Sequence, residues 1–256
     1  IGMEFYDQEN DKDALIYFRQ ALADDPYNID AHNNAGDSLF YLGDYGTSNT
    51  HYNEVLKLDE DNIHALLGLA ENNKFQERLR ESIKYYTKVL KLEPENKHAL
   101  AGFGAVSVSL GDSSGIEYLE KAIAVDPTNV DFKFDKAYAL SELGEYEEAI
   151  KNYEFVLKDY PNDVAALNNV GWIYAQFGEN SKAALYFEKV LEIDPNDEYA
   201  SANLKDVQDG TVVKSAAYES KLEEQRKSST FPEVVNSRCD LVYLIIKEYD
   251  ASPYGL

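Results

Sequence analysis

Four histidines are the residues of this chain with the clearest chemical potential, because imidazole binds metal ions and titrates near neutral pH. They are His32, His51, His64 and His98. His64 and His98 are 34 residues apart, and on neighbouring helices such a pair could bind a metal ion or respond to pH. No third ligand follows at the same spacing. We therefore expect hydrogen-bonded or solvated histidines and predict no metal site.

Other patterns do not indicate catalysis either. The acidic string Asp59-Glu60-Asp61 lacks the spacing of a calcium loop and is typical of a helix-capping turn. The sequence has no G-x-x-x-x-G-K, no H-E-x-x-H, no G-x-S-x-G and no G-x-G-x-x-G at a strand-helix junction. We predict that the protein is not an enzyme and holds no cofactor.

Composition narrows the choice of partner and location. The 256 residues carry a formal net charge of −23, which repels phosphate backbones and anionic lipid surfaces. We predict no binding to nucleic acid and no insertion into a membrane, since the apolar run 241–246 is too short to span one. Cys239 is the only cysteine, which fits a reducing compartment. We expect a cytoplasmic protein, although Ile1 falls inside a predicted helix and the N-terminus is not assumed to be complete.

The elements that would position these residues repeat about every 34 residues. One series of small residues comprises Ala14, Ser48, Ser82, Gly115, Ala149 and Ala183, spaced 34, 34, 33, 34 and 34 residues apart. A second comprises Gly2, Gly36, Ala70, Gly104, Ala137 and Gly171, and prolines follow in phase at 26, 94, 127, 161 and 195, with Glu60 in the remaining place. A period of this length predicts a solenoid of stacked helix pairs.

Each repeat reads as helix A, a turn, and helix B. In residues 29–62, apolar and small side chains recur every three or four residues on both sides of Gly43-Asp44, as in amphipathic helices. Glycine at 43, 111, 144 and 178 can end helix A in the left-handed conformation. An Asn or Asp shortly after each proline position can cap the next A helix.

Residues 164–197 carry the most complete version of the repeat, namely Gly171, Gly178, Ala183, Phe187, Val190 and Pro195. This pattern resembles the tetratricopeptide repeat. The resemblance covers residues 1–208 and implies an all-α, right-handed superhelical solenoid of about six helix-turn-helix units. Their predicted bounds are 1–28 (partial), 29–62, 63–96, 97–129, 130–163 and 164–197, followed by a capping helix at 198–208.

Repeats three and four depart from the family pattern. The turn of repeat four is one residue short, between Asp112 and Gly115, and Asn73 and Ser107 replace an aromatic residue. We therefore expect looser packing between the helices of these two repeats.

The resemblance implies that the second, fifth, ninth and twelfth residues of each A helix line a concave groove. We call these the groove positions. The residues at these positions predict a groove that is acidic at its N-terminal end, lined by mostly small, uncharged side chains in the middle, and aromatic at its C-terminal end. The candidate partner-binding residues, including Asn169 at a neighbouring asparagine-ladder position, are Asn33, Asp37, Phe40, Leu67, Glu71, Phe134, Tyr138, Asn168, Asn169 and Trp172.

Such a surface favours a protein or peptide partner with apolar anchors and some basic charge. Trp172 is the leading anchor, although it could instead pack against the next helix or the C-terminal segment. In some members of the family, asparagines at one position of successive A helices hydrogen-bond the backbone of a ligand and form an asparagine ladder. Asn34 and Asn169 occupy this position here, but the ladder is interrupted by Gly68, Gly102 and Asp135. A clamp for an acidic tail is disfavoured, because the groove positions lack its Lys and Arg cluster.

The remaining residues leave the repeat register. Residues 209–230 are predicted to be a linker or an exposed helix, and 231–256 an apolar helix and tail. The apolar stripe within 231–249 could fold back, occupy the groove or mediate self-association. Residues 239–249 could also form a buried strand, since the run 241–246 is β-prone.

The sequence thus favours a non-catalytic scaffold for protein–protein interaction. Two alternatives remain open: a recruiting or regulatory arm of a larger enzyme or complex, and a structural protein that self-assembles through its apolar C-terminal segment.

Overall fold

The computed structural model describes residues 8–212, with side chains from residue 11 onward. This range contains twelve α-helices and no strand. The helices are α1 (Gln8–Asp24), α2 (Ile29–Tyr41), α3 (Tyr45–Leu58), α4 (Ile63–Phe75), α5 (Leu79–Leu92), α6 (Lys97–Ser109), α7 (Gly115–Val125), α8 (Val130–Glu142), α9 (Tyr146–Asp159), α10 (Val164–Gln176), α11 (Asn180–Ile193) and α12 (Glu198–Asp209). The predicted all-α fold of helix pairs is confirmed.

The chain divides into two compact units, residues 1–132 and 133–256, with the division inside α8. In the first unit each helix from α1 to α7 packs against the next, and the A helices α2, α4 and α6 also contact one another in sequence. In the second unit α9 packs on α10, α10 on α11 and α11 on α12. Each unit is therefore built from neighbour-to-neighbour contacts, as in a repeat protein.

The predicted caps begin the A helices. Before α2, α4, α6, α10 and α12, the side chain of the preceding residue accepts a hydrogen bond from the third helical N–H, at 2.6 to 3.1 Å. These capping residues are Asn28, Asn62, Asn96, Asp163 and Asp197. The prediction of Asn and Asp caps is confirmed.

The turn from helix A to helix B uses the left-handed backbone conformation. Gly43, Gly111, Gly144 and Gly178 have φ values between 74° and 87°. In repeat three the same place is held by Glu77, at φ 57°, which is a costly conformation for a residue with a Cβ. The glycine positions were thus correctly identified as turns, and repeat three keeps the turn without a glycine.

The closest glycine contact between paired helices lies in repeat four, where α6 meets α7. A Cβ on Gly104 would lie 2.6 Å from the carbonyl oxygen of Gly115, and a Cβ on Gly115 would lie 2.3 Å from the carbonyl oxygen of Gly104. The prediction of looser packing in this repeat is therefore wrong. Two facing glycines let the backbones approach and compensate for the missing aromatic ring.

One large side chain from each B helix fills the core between helices. Tyr52, Tyr86, Leu119, Tyr153 and Phe187 are all 2% exposed or less. The small residue four positions earlier leaves room for the A helix, and where it is serine its hydroxyl donates to an A-helix carbonyl: Ser48 Oγ to Gly36 O at 2.7 Å, and Ser82 Oγ to Ala70 O at 2.8 Å.

Helix α12 ends at Asp209 and is capped by Gly210, whose φ is 70°. The predicted linker at 209–230, apart from its first four residues, and the apolar segment at 231–256 lie outside the described residues.

Candidate functional site

The groove positions differ systematically in exposure. Second positions are mostly exposed, as for Asp30, His64, His98 and Asp131. Ninth positions are partly buried in all five complete repeats, and fifth positions are buried in four of them. The side chains that an A helix can present to a partner are therefore mainly those at its second and ninth positions.

The buried fifth positions correct the candidate list. Asn33, Phe134 and Asn168 are 5%, 1% and 7% exposed. The Phe134 ring packs edge-on against Tyr153 at 5.3 Å between centroids, so its surface is used inside the second unit. Leu67 is partly buried and packs against the core cluster that contains Tyr86.

The two fifth-position asparagines make equivalent hydrogen bonds in their own repeats. Asn33 Nδ2 donates to Oδ1 of Asn62, and Asn168 Nδ2 donates to Oδ2 of Asp197, both at 3.4 Å. Each acceptor is the cap of the next A helix. These asparagines therefore link consecutive repeats, and their side chains are buried rather than exposed on the groove surface.

In the first unit the ninth-position carboxylates are engaged within the protein. Asp37 accepts a hydrogen bond from the Tyr52 hydroxyl at 2.7 Å and faces Nε2 of His64 at 2.9 Å. Glu71 accepts a hydrogen bond from the Tyr86 hydroxyl, and its other oxygen lies 2.6 Å from Lys74 Nζ. The acidic end of the predicted groove is thus partly neutralised by the chain itself.

The tyrosine rings also explain two interruptions in the asparagine ladder. A Cβ on Gly68 would lie 2.3 Å from Cζ of Tyr52, and a Cβ on Gly102 would lie 2.2 Å from Cζ of Tyr86. A larger residue at either place would collide with the ring of the preceding B helix. Glycine is required there so that each hydroxyl can reach its carboxylate.

The histidines form a different pair from the one considered in the sequence. Nδ1 of His32 lies 2.9 Å from Nδ1 of His51, and Nε2 of His32 lies 3.2 Å from the carbonyl oxygen of Pro26. That carbonyl only accepts, so the Nε2–H of His32 donates to it, and in the neutral tautomer the Nδ1 of His32 accepts from the Nδ1–H of His51. Burial lowers the pKa of His51 below its usual value. Among the described residues, no three His, Cys, Asp or Glu side chains converge as a metal site.

The contact between Asp37 and His64 should change the pKa of the His64 imidazole, which can be tested by titration. Its hydrogen bond raises the pKa of His64 above the ordinary 6.5, with the charges of Asp37 and Asp30 adding to the effect and burial opposing it. The isosteric substitution Asp37→Asn removes the charge, so the pKa of His64 should fall. A titration of the imidazole resonances by NMR measures this, and an unchanged value would show that the two groups do not interact in solution.

The sign of the accompanying stability effect follows from the raised pKa. Because folding favours the protonated imidazole, this contribution is fully present below pH 6.5 and is lost as the pH rises through the folded-state pKa. The His64 side chain is 48% exposed, which limits the contribution to about 0.5 kcal/mol or less. Burial lowers the pKa of His98, so the contribution of His98 to stability has the opposite dependence on pH and provides a control.

Phe40, at the twelfth position of α2, belongs to an aromatic cluster in the first unit. Its ring centroid lies 5.1 Å from that of Phe75 and 5.6 Å from that of Tyr45. Tyr45 and Phe75 stack at 5.9 Å. Phe40 is partly buried in this cluster, which joins α2, α3 and α4.

In the second unit, aromatic side chains hold the ninth positions. Tyr138 and Trp172 are partly buried. The Trp172 indole meets the fully buried Tyr146 ring edge-on, at 5.7 Å and 90°, and packs against the core cluster around Phe187. Part of the Trp172 indole therefore packs against the protein and part is exposed, and its role as an anchor for a partner stays a prediction.

Comparison with known proteins identifies the repeat. One tetratricopeptide repeat model matches residues 29–62 and 63–96, and another matches 113–151 and 134–198. Together they span more than half of the chain. The chain belongs to the tetratricopeptide repeat (TPR) family.

Solved structures show the same TPR fold. The APC/C hetero-tetramer Cut9–Hcn1 matches with a TM-score of 0.72 at 18% identity, over 78% of this chain and 40% of that one. YrrB matches with a TM-score of 0.53 at 22% identity, over 73% of this chain and 97% of that one. At these identities the likeness shows the fold alone.

A sequence relative of the TPR chain is the CTR9 homolog of Arabidopsis thaliana, 38% identical over 63 residues, which are 25% of this chain and 6% of that protein. The matches to curated relatives reach only 6% to 38% of the relatives' lengths. TPR proteins are generally non-catalytic, and the fold supports a role as a protein–protein interaction scaffold. In the described range no helix of the TPR array has the length and apolarity to cross a membrane.

One exposed aromatic side chain of the TPR array holds a groove position that the candidate list does not include. Tyr199, 41% exposed, holds the second position of the cap helix α12. Burial raises the pKa of Tyr138 to about 12, with smaller contributions from the charges of Glu142 and Tyr199. The signal was present in the sequence, because extending the repeat register by one helix places Tyr199 in line with the groove positions.

Proposed function

We propose that this TPR protein is a non-catalytic scaffold that binds a segment of a partner protein at the groove positions of its A helices. The observation that carries the proposal is the presence of aromatic side chains at groove positions of three successive A helices in the second unit, Tyr138, Trp172 and Tyr199, which we call the aromatic face. Rigid aromatic side chains that are partly buried and partly exposed bury much area on binding at little entropic cost.

The held orientation of Trp172 supports this proposal. Tyr146 is fully buried and contacts the indole at a right angle, so the protein restricts the indole before a partner arrives. A side chain that is already restricted loses less conformational entropy on binding. YrrB, one of the structural neighbours, is a TPR protein with an unusual peptide-binding site.

The charge of the chain favours a basic partner. The formal net charge is −23, and the field of so many carboxylates attracts lysine and arginine during approach. Asp37 and Glu71 are already engaged within the protein, so we assign the long-range attraction to the net charge of the whole chain. The anchors are then apolar, and the flanking residues of the partner segment are basic.

Selection from a random displayed peptide library tests this function. We expect the enriched peptides to combine aromatic or aliphatic anchors with Lys or Arg, and to bind more weakly as salt rises. The double variant Tyr138→Ala, Tyr199→Ala should lose most of this binding.

A matched control lies on the B helices, where Phe155 and Leu185 are 57% and 65% exposed. The double variant Phe155→Ser, Leu185→Ser should bind the same peptides as the unmodified protein. Loss of binding in this control with binding retained in the first variant would place the interaction on the opposite helices and reject the proposal.

A further inference from the structure

The B-helix tyrosines form hydrogen bonds in two repeats but not in a third. The hydroxyls of Tyr52 and Tyr86 donate to Asp37 and Glu71, each at the ninth position of its own A helix. The hydroxyl of Tyr153, buried to the same degree, lies near the donor groups of Ser141 and Asn169, but its own hydrogen has no acceptor at hydrogen-bond geometry.

The sequence of the repeats accounts for this difference. In repeat five the ninth position is Tyr138, which lacks a carboxylate. Repeats four and six have neither group, since their B-helix residues are Leu119 and Phe187. Repeat five therefore keeps the hydroxyl without the internal acceptor. A buried hydroxyl without an acceptor is destabilising, and phenylalanine, which lacks the hydroxyl, is accommodated at the equivalent position in repeat six.

We propose that the Tyr153 hydroxyl is a hydrogen-bond donor to the bound partner, and that its acceptor is the carbonyl oxygen of a neutral amide. This inference rests on the proposed function. The amide belongs either to the main chain of the partner segment or to an Asn or Gln side chain. The carbonyl oxygen of this amide lies beside Tyr153 as the carboxylates of Asp37 and Glu71 lie beside their own tyrosines. The Tyr138 ring is then turned toward the partner.

The surroundings of Tyr153 favour a neutral acceptor over a carboxylate. Burial raises the pKa of Tyr153 well above its usual range, so the phenol keeps its proton. Ser141 and Asn169 oppose this shift as donors toward the phenol oxygen, and neither supplies an acceptor for the hydroxyl hydrogen. The Ser141 hydroxyl already donates to the Tyr138 carbonyl at 2.7 Å. The negative charge of Asp135 acts on the same hydroxyl and would repel an incoming carboxylate.

The first measurement uses the unliganded protein. Tyr153→Phe removes a hydroxyl that has no partner, so the melting temperature should stay the same or rise. The control Tyr52→Phe removes a donor to Asp37 and should lower it. If Tyr153→Phe lowers the melting temperature as much as the control does, the hydroxyl has an internal partner and the inference is wrong.

The second measurement uses a peptide obtained by the library selection and the full chain. Tyr153→Phe should weaken its binding about three- to tenfold, the effect expected of one neutral hydrogen bond. Peptide analogues with single amide-to-ester replacements, or with Asn and Gln replaced by Leu, locate the acceptor. One analogue should weaken binding to the unmodified protein but not to Tyr153→Phe, and its type identifies the main chain or the side chain as the source.

The outcomes separate this inference from the function on which it rests. A selected peptide that binds Tyr153→Phe and the unmodified protein equally would overturn the inference and leave the scaffold function standing. If no library peptide binds the unmodified protein, the scaffold function itself fails.

Discussion

Replacement of Gly115 by alanine is expected to lower the free energy of unfolding by about 2–3 kcal/mol, because it overpacks a contact between two backbones. The new Cβ would lie 2.3 Å from the carbonyl oxygen of Gly104 and 2.9 Å from Cγ2 of Val108. A backbone oxygen cannot turn aside as a side chain can, so α6 and α7 must separate. Urea unfolding followed by circular dichroism measures the effect.

A matched glycine provides the control. Gly46 lies in α3, and a Cβ there would meet its nearest atom, Oδ1 of Asp44, only at 3.7 Å. Gly46→Ala should therefore leave stability unchanged or raise it by up to about 1 kcal/mol, since alanine favours the helix. If both alanine variants behave alike, α6 and α7 do not approach in solution as closely as the structure indicates.

The contact between α6 and α7 also shows where the sequence reasoning failed. The missing aromatic in repeat four predicts a loss of packing only when side-chain size alone is considered. Gly104 and Gly115 were each recognised as small residues of a periodic series. What the series could not show is that the two glycines face each other, which depends on the relative rotation of the helices.

Helix position was predictable for a local reason. Glycine at the A-to-B turn, Asn or Asp at the cap, and proline after helix B each act through the backbone conformation of one or two residues. Such signals do not depend on the rest of the molecule. The A helices accordingly begin at residues 29, 63, 97, 130, 164 and 198, immediately after the turn signals.

The candidate site was less predictable, because it depends on contacts between side chains. Asp37 and Tyr52 are 15 residues apart, and so are Glu71 and Tyr86. The joint occurrence of acid and hydroxyl at this spacing is visible in the sequence, but the resemblance to the family considers the groove positions of helix A alone, without their partners on helix B. Fifth positions such as Phe134 were assigned to the groove by family resemblance, without knowledge of their burial.

Replacement of Trp172 by alanine is expected to weaken binding of a selected peptide by about 2 kcal/mol or more, roughly 30-fold, the loss typical of a central aromatic anchor. The physical reason is the loss of an indole that Tyr146 already holds in place. Isothermal titration of the purified variant with the peptide measures the effect. Trp172→Phe keeps an apolar ring and should lose only part of the affinity.

The partial burial of Trp172 requires that folding and binding be measured separately. The indole packs against the core cluster around Phe187, so Trp172→Ala will also reduce stability. Binding must therefore be measured at a temperature where the variant is fully folded, as its melting curve shows. If the melting temperature falls while the affinity is unchanged, Trp172 serves packing alone. A loss of affinity in the folded variant, together with normal binding by Phe155→Ser, Leu185→Ser, would identify the aromatic face as the place where the partner is held.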